Sequence, residues 1–337
     1  MNKKKFWAQI VFLVFLIAGS WFALQRQAPF QQNEGKIFGT IYHIKYQSKN
    51  DLKAEIVTEL LKVDASLSPF NKQSVITAIN QNQEIEADTL FRTVFRQAEK
   101  ISQQTEGAFD ITVAPLVNAW GFGFKTNAFP DSNKIDSLKQ FIGYTLVALK
   151  NGHIVKKDPR IMLDCSSIAK GYGCDRVAAL LDRKGITNYM IEIGGEIVVK
   201  GKNPQNSAWS IGISKPTDDS LAVNQELQTI LQLSDIAMAT SGNYRNFYYK
   251  DGKKYAHTIN PHTGYPVQHS LLSATVLAPD CMTADAYATS FMVMGLEKAK
   301  KLVESQADLD AYFIYTDDEG RLQTWSTEGM KSRILKP

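Results

Sequence analysis

Cysteine is scarce in this chain, with only Cys165, Cys174 and Cys281 among 337 residues. Three cysteines are too few for a disulfide scaffold, and their irregular spacing does not fit a zinc site. We therefore expect reduced, buried thiols and a fold that depends on its hydrophobic core.

A marked excess of charge of one sign is also absent. The chain carries 38 Lys and Arg residues against 34 Asp and Glu residues, and Lys3, Lys4 and Lys5 account for most of the net charge of +4. A nearly neutral remainder argues against a polyanion-binding surface, so we expect no nucleic-acid partner. An apolar fraction of 44% and a charged fraction of 21% indicate a folded globular protein.

A long hydrophobic run occurs near the start of the chain, from Phe6 to Leu24, with Gln9 and Ser20 as its clearly polar members. It has about the length that a bilayer requires, and the preceding lysines favour the cytoplasmic side. Residues 1–25 are therefore predicted to be a signal peptide or membrane anchor, with the rest of the chain extracytoplasmic. The terminal position and the lysines argue against the alternative, a buried core helix.

Ser20 leaves two interpretations of this segment open. Residues 16–20 resemble a bacterial lipoprotein signal in which a serine stands at the position of the lipidated cysteine. Serine cannot carry the thioether lipid. Either the segment stays as a signal anchor, or Ser20 replaces a natural cysteine.

The rest of the sequence mixes helical and strand periodicities without an internal repeat. Helices are predicted over 51–63, 89–105, 168–184 and within 283–306, and 121–136 is predicted to be a loop of the kind that covers a pocket. Strands are predicted over 37–46, 209–214, 228–233 and 273–277, with strand pairs over 189–200 and 311–325. Order is expected to begin near Gly35. Because no linker-like tract follows, we predict one mixed α+β domain over residues 35–337.

Two segments combine polar side chains with small and aromatic residues. In the first, residues 107–123, Asp110 lies beside Phe109 in a pattern that fits a ring-binding pocket or, equally, a buried strand with a capped turn. In the second, residues 163–175, a strand ends and a helix begins, so free backbone N–H groups and Lys170 could hold phosphate. The glycine patterns of Walker and Rossmann nucleotide sites are absent.

Further segments supply candidate chemistry. Residues 191–196 read as a hairpin with a tight glycine turn, and 239–245 and 257–264 are rich in hydroxyl and turn residues. His257 could transfer a proton or be an ordinary loop residue. Asp285 and Thr289 are four residues apart and share a helix face, where they could bind a hard cation. Alternatively, Asp285 is a favourable N-terminal helix charge.

In this order, the segments resemble the ApbE-type flavin transferases, which are FAD:protein FMN transferases. The resemblance runs from about Gly39 to the C-terminus and rests on six motifs: F-D-I-T-V-x-P-L-V-N-x-W-G-F-G, D-x-S-x-I-A-K-G-Y-x-x-D, E-I-G-G-E, T-S-G-N-Y-R, H-T-I-N-P-x-T-G-x-P and M-T-A-D-A-x-A-T. The resemblance implies a T-fold-like architecture. It also implies that the protein is exported from the bacterial cytoplasm.

The resemblance also implies an activity. It predicts Mg²⁺-dependent cleavage of the FAD pyrophosphate, transfer of FMN to a Thr or Ser hydroxyl of a target protein, and release of AMP. Typical acceptors are flavin-carrying subunits of Na⁺-pumping NADH:quinone oxidoreductase and Rnf-type complexes. The chain would then work at the periplasmic face of the inner membrane, reached through its N-terminal segment.

Carried over residue by residue, the resemblance implies metal ligation by the side chains of Asp285 and Thr289 and the carbonyl of Ser167, with His257 and Asp285 as catalytic residues. The implied FAD-contacting positions are Phe38, Phe70, Ala108, Phe109, Asp110, Asp164, Lys170 and Ile259. Phe38 replaces the usual methionine and Phe70 a common tyrosine, so stacking is retained and a hydroxyl is lost. The position of Phe70 is associated with the balance between transfer and hydrolysis.

Two other functions are kept as alternatives. One is a Mg²⁺-dependent FAD pyrophosphatase, which hydrolyses FAD to FMN and AMP. An acceptor protein that carries no covalent FMN after incubation would indicate this activity. The other is a flavin-binding carrier module, for which FAD would remain intact during incubation with Mg²⁺.

Overall fold

The computed structural model describes residues 3–26, 28–124, 129–216, 226–243, 247–250 and 253–335. Within them the helices are α1 (Lys3–Arg26), α2 (Lys53–Leu67), α3 (Val75–Asn80), α4 (Thr89–Gln104), α5 (Ala114–Ala119), α6 (Ser132–Lys139), α7 (Ala169–Arg183), α8 (Cys281–Met294), α9 (Leu296–Glu304) and α10 (Glu328–Lys331), with a 3₁₀ turn at Tyr144–Leu146. The strands are β1 (Phe30–Ile37), β2 (Thr40–Gln47), β3 (Val147–Lys150), β4 (His153–Lys156), β5 (Tyr189–Ile193), β6 (Glu196–Lys200), β7 (Trp209–Ser214), β8 (Leu227–Leu233), β9 (Ile236–Gly242), β10 (Phe247–Lys250), β11 (Lys253–Ala256), β12 (Leu271–Ala278), β13 (Asp310–Thr316) and β14 (Leu322–Ser326).

Eight strands form the main sheet, in the order β1-β2-β5-β6-β9-β12-β13-β14. Every neighbouring pair in it is antiparallel. The strands β3–β4, β7–β8 and β10–β11 form separate two-stranded sheets. The predicted mixture of helices with strands in an α+β arrangement is confirmed.

Helices α2, α7 and α8 pack against one face of the main sheet. Strand β2 shows why: successive side chains point to opposite faces, and Tyr42, Ile44 and Tyr46 are buried on the face that the helices cover. The alternate side chains, those of Ile41, His43 and Lys45, point to the opposite face. The hairpin β7–β8 covers part of that second face, where its apolar residues form a core with β6, β9, β12 and β13.

The predicted strand over 37–46 is wrong in its start. A turn at Phe38 and Gly39, where φ is 50° and 73°, separates β1 from β2. The first strand of the sheet therefore begins at Phe30, before the predicted start of the domain near Gly35. The sequence of β1 is rich in Gln, Asn and Glu and lacks the apolar alternation that predicts a strand. Such a composition is possible because β1 lies at the edge of the sheet and need not bury either face.

The helix predicted within 283–306 is also two helices. Gly295, with φ of 77°, ends α8 and begins α9. In the predicted loop over 121–136, α6 begins at Ser132 and is capped by Asp131, whose Oδ1 accepts a hydrogen bond from the Lys134 N–H at 2.7 Å. Residues 125–128 of that loop lie outside the described residues.

Cys165, Cys174 and Cys281 are free and buried, which confirms the expected reduced thiols. At the N-terminus, α1 covers the whole hydrophobic run. Among the residues that the structure describes, no helix has the length and apolar character needed to span a membrane. The signal or anchor over residues 1–25 stays a prediction.

Candidate active site

A cavity of about 1310 Å³ opens where the turn between β1 and β2 meets the starts of α7 and α8. Every candidate residue that the sequence indicated lines this one cavity. They are Phe38, Phe70, Ala108, Phe109, Asp110, Asp164, Ser167, Lys170, His257, Ile259, Asp285 and Thr289. The fold thus brings together positions up to 251 residues apart, while their individual roles stay predictions.

The polar centre of the cavity is a cluster of three charged side chains. Lys170 Nζ lies 2.6 Å from Glu196 Oε1 and 3.9 Å from Asp285 Oδ1. Both carboxyl side chains are buried, and Glu196 Oε2 has no hydrogen-bond partner among the residues that the structure describes. A buried carboxylate oxygen without a partner is costly unless a proton or a cation approaches it.

The close approach of α7 to α8 builds this cluster. The Gly171 N–H donates to Asp285 Oδ2 at 3.1 Å. A Cβ at Gly171 would collide with the backbone carbonyl of Cys281, so only glycine allows the contact. The sequence predicts that the first N–H groups of α7 are free to hold phosphate. One of them, that of Gly171, instead donates to a carboxylate.

The helix-charge explanation for Asp285 is not what the structure shows. The N-cap of α8 is Asp280, whose Oδ1 accepts from the Thr283 N–H at 2.8 Å. Asp285 lies one turn further on and faces the cavity, as does Thr289. The predicted common face of these two residues is confirmed.

Burial dominates the electrostatics of the cluster. Desolvation raises the pKa of Glu196 to about 7, against the lowering effect of Lys170, and it also raises the pKa of Asp285. Burial alone would lower the pKa of Lys170, but Asp285 and Glu196 raise it above its ordinary value. With both carboxyl groups ionised, the cluster has two negative charges against one positive charge.

That charge imbalance suits a hard cation. Asp285, Thr289 and Ser167 line the same cavity, and the oxygen atoms that these residues carry are donors of the kind that Mg²⁺ prefers. Across the part of the chain that the structure describes, no group of three His, Cys, Asp or Glu side chains is arranged to hold a metal. A cation here would complete its shell with oxygen atoms from water or from the substrate.

Asp110 caps a turn, as one interpretation of its segment predicts, but the strand in that interpretation is wrong, because the described residues 107–123 form turns and the helix α5, and the binding of a ring stays a prediction. Its Oδ1 accepts from the N–H and the hydroxyl of Thr112 at 2.8 and 2.6 Å, and its Oδ2 accepts from the Tyr144 N–H at 2.8 Å. It therefore fixes a turn and also lines the cavity. Burial raises its pKa. Asp164 is held similarly, because its Oδ1 accepts from the Ser166 N–H at 2.8 Å.

The apolar candidates divide into wall and rim. Ala108, Phe109 and Ile259 are buried in the wall of the cavity. Phe70 is 62% exposed, and its ring centroid lies 5.4 Å from that of Phe124. An exposed aromatic pair at the rim offers a surface on which a planar ring can stack.

His257 follows β11 and lines the cavity on another side. Its ring meets that of Phe122 edge-on, at 6.4 Å between centroids. The neighbouring Thr258 is anchored by its hydroxyl, which donates to Asn243 Oδ1 at 2.9 Å. This imidazole is positioned by packing on an aromatic residue.

Glu196 and Gly171 are the residues of the site that sequence reasoning missed. Both lie inside the quoted motifs, but Glu196 was interpreted as part of a hairpin and Gly171 as part of a helix start. The available signal for Glu196 was an acidic residue that follows two glycines and opens a strand otherwise made of Ile, Val and Lys. A charge at a buried strand position requires a partner.

Comparison with known proteins places these features in a family. The model of the ApbE family matches residues 38–313. The FAD:protein FMN transferase of Haemophilus influenzae is 38% identical over 88% of this chain and 90% of its own length, and that of Escherichia coli K12 is 35% identical over 90% and 88%. The solved structure of the flavin transferase ApbE from Vibrio cholerae superposes with a TM-score of 0.82 at 35% identity, covering 91% of this chain and 99% of that one. The apo flavinyl transferase ApbE of Pseudomonas stutzeri gives a TM-score of 0.80 at 29% identity, covering 91% and 97%.

Proposed function

Since this chain belongs to the ApbE family and is an FAD:protein FMN transferase, we propose that it works with Mg²⁺, joins FMN to a Thr or Ser hydroxyl and releases AMP. The observation that carries this proposal is the single cavity. It combines an oxygen-rich charged cluster at Lys170, Glu196 and Asp285 with an aromatic rim at Phe70. These are the two surfaces that a pyrophosphate and an isoalloxazine ring require.

The cation is assigned to the side chains of Asp285 and Thr289 and to the Ser167 carbonyl. When bound, Mg²⁺ supplies neutralisation of the negative charge on the pyrophosphate oxygens. The orphaned Glu196 Oε2 and the excess negative charge of the cluster support a cation at this place.

The residues of the chain have three tasks in the reaction. Phe38 and Phe70 orient the flavin, and Lys170 adds positive charge beside the pyrophosphate. His257 accepts the proton of the acceptor hydroxyl. The hydroxyl oxygen forms a bond to the phosphorus of the FMN half, the phosphoanhydride bond breaks, and AMP leaves with the electron pair of that bond.

The acceptor is proposed to be a flavin-carrying subunit of a Na⁺-pumping NADH:quinone oxidoreductase or Rnf-type complex. The encounter takes place on the periplasmic face of the inner membrane, with residues 1–25 as signal or anchor. Lys3 to Lys5 before the apolar run support this orientation. A reporter enzyme that is active only outside the cytoplasm should work when fused after Pro337, and one active only in the cytosol should not.

Chromatography of the nucleotides tests the reaction. The protein is incubated with FAD, Mg²⁺ and the purified flavin-carrying subunit, with a subunit lacking its target hydroxyl as the matched control. We expect AMP release that requires both Mg²⁺ and the hydroxyl. Equal AMP release with the control subunit, together with free FMN, would instead identify an FAD pyrophosphatase, and intact FAD would identify a carrier.

A further inference from the structure

The cavity extends past the charged cluster onto the second face of the main sheet. Its lining includes Ile41 of β2, Met190 and Glu192 of β5, and residues 210–213 of β7. None of these residues belongs to the set assigned to FAD or the metal. This end of the cavity therefore has no component of the reaction assigned to it.

The floor of this extension is the face of β2 and β5 that points away from the helices. Ile41 is 50% exposed there, although β2 has a neighbouring strand on each side. Glu192 is paired in register with His43, and its Oε2 lies 3.7 Å from His43 Nδ1. The floor thus offers an apolar side chain next to an acidic one.

The wall of the extension is a strand edge. In the described part of the chain, β7 pairs with β8 alone. The other edge of β8 is occupied by the C-terminal segment, since the Leu335 N–H donates to the Ile230 carbonyl and the Gln232 N–H to the Arg333 carbonyl, each at 2.8 Å. Residues 210–213 of β7 line the cavity, and no strand of the described residues pairs with the β7 edge opposite β8, so this edge is a template for an added strand.

We propose that an extended segment of the acceptor protein adds to this β7 edge, across Ile41 and Glu192, and thereby brings its Thr or Ser to the charged cluster. This inference rests on the proposed function, which requires a protein hydroxyl inside the cavity. Continuity between the β7 edge and the cluster supports this occupant, because one cavity holds both. An extended chain also satisfies the backbone groups of the edge, which a helix cannot do.

The residues of β2 and β5 also determine which side chains of the acceptor segment fit. Side chains of an added strand alternate, so every second residue of the acceptor segment faces β2 and β5. Ile41 and Met190 favour an apolar residue there. The recognised partner is therefore an extended segment with an apolar residue near its Thr or Ser.

The test is the variant Ile41→Glu, with the flavin-carrying subunit of a Na⁺-pumping NADH:quinone oxidoreductase as the probe. A carboxylate at this position removes the apolar contact that Ile41 offers to the acceptor segment, while the half exposure of Ile41 lets the fold tolerate the change. We expect KM for the subunit to rise about tenfold or more, with FAD affinity unchanged. Val155→Glu is the matched control, because Val155 is also a β-branched strand residue, 45% exposed, and does not line the cavity.

Hydrogen exchange of the wild-type protein gives the second measurement. The subunit should slow amide exchange within residues 210–213 and leave β4 unaffected. An unchanged KM in Ile41→Glu, or wild-type transfer without protection of β7, would overturn the docking surface. Failure of the wild-type protein to flavinylate the subunit would instead contradict the proposed function, so the two failures are distinct.

Discussion

The balance of charge in the cluster gives the sharpest prediction on stability. Lys170 lies between two buried carboxyl groups, those of Glu196 and Asp285. Glu196→Gln leaves one cation and one anion, and the glutamine oxygen can still accept from Lys170. Lys170→Met leaves two buried carboxyl groups without a cation.

The magnitudes separate the two variants. Removing one partner from a buried ion pair typically costs about 3–5 kcal/mol, which we expect for Lys170→Met. For Glu196, a pKa raised from 4.5 to about 7 means that holding the side chain ionised at pH 8 costs about 3 kcal/mol. Glutamine carries no such cost but forms a weaker hydrogen bond, by about 1–2 kcal/mol. We therefore expect Glu196→Gln to be neutral or slightly stabilising at pH 8.

The free energy of unfolding should also change with pH, in a direction that the pKa of Glu196 determines. Because the folded pKa of Glu196 lies above the unfolded value, folding takes up a proton between pH 4.5 and about 7, and wild-type stability falls as pH rises through this range. The benefit of Glu196→Gln over the wild type should thus be about 2–3 kcal/mol larger at pH 8 than at pH 5.

Urea unfolding followed by tryptophan fluorescence, without Mg²⁺ and at both pH values, measures these differences. The reasoning is refuted if Glu196→Gln loses as much stability at pH 8 as Lys170→Met does. It is also refuted if the difference between Glu196→Gln and the wild type does not change with pH.

Three further predictions concern the metal, the base and a second buried acid. Asp285→Asn keeps an oxygen that can accept from the Gly171 N–H but loses the negative charge. The variant should therefore fold, lose FMN transfer and gain no thermal stability from Mg²⁺. Mg²⁺-dependent turnover in this variant would contradict the proposed metal site. His257→Ala should slow transfer by about 10²–10⁴-fold with FAD affinity within a few-fold, whereas a parallel loss of FAD binding would make His257 a residue that shapes the pocket. Asp175 accepts from two N–H groups at the start of α8, and burial raises its pKa to about 7, so its ionisation should lower wild-type stability as pH rises from about 4 to 7. Thermal melts of Asp175→Asn should show a shallower decline over that range, and an unchanged decline would place the titration elsewhere.

The parts of the fold that sequence could predict are those with a local pattern. The alternation in β2 and the glycine turn at Gly194 and Gly195 are confirmed, and α7 lies within its predicted range. The turn at Phe38 was missed because a non-glycine residue with positive φ has no clear sequence signal. The break at Gly295 was missed because apolar periodicity continues on both sides of it.

The candidate site was predictable as a set of positions through the family motifs. Its energetics were not, because they depend on groups far apart in sequence. Glu196 meets Lys170 only after β5 and β6 form their hairpin, and Asp285 joins them only because Gly171 lets α8 approach α7. No local pattern contains a contact across 114 residues.

The mass of the acceptor tests the central claim most directly. After incubation of the protein with FAD, Mg²⁺ and a purified flavin-carrying subunit of Na⁺-pumping NADH:quinone oxidoreductase, the intact mass of the subunit should rise by one FMN less one water. Fragmentation should place the addition on a single Thr or Ser, with one AMP released for each modified subunit. An unmodified subunit in the presence of consumed FAD would contradict covalent transfer and leave hydrolysis as the activity.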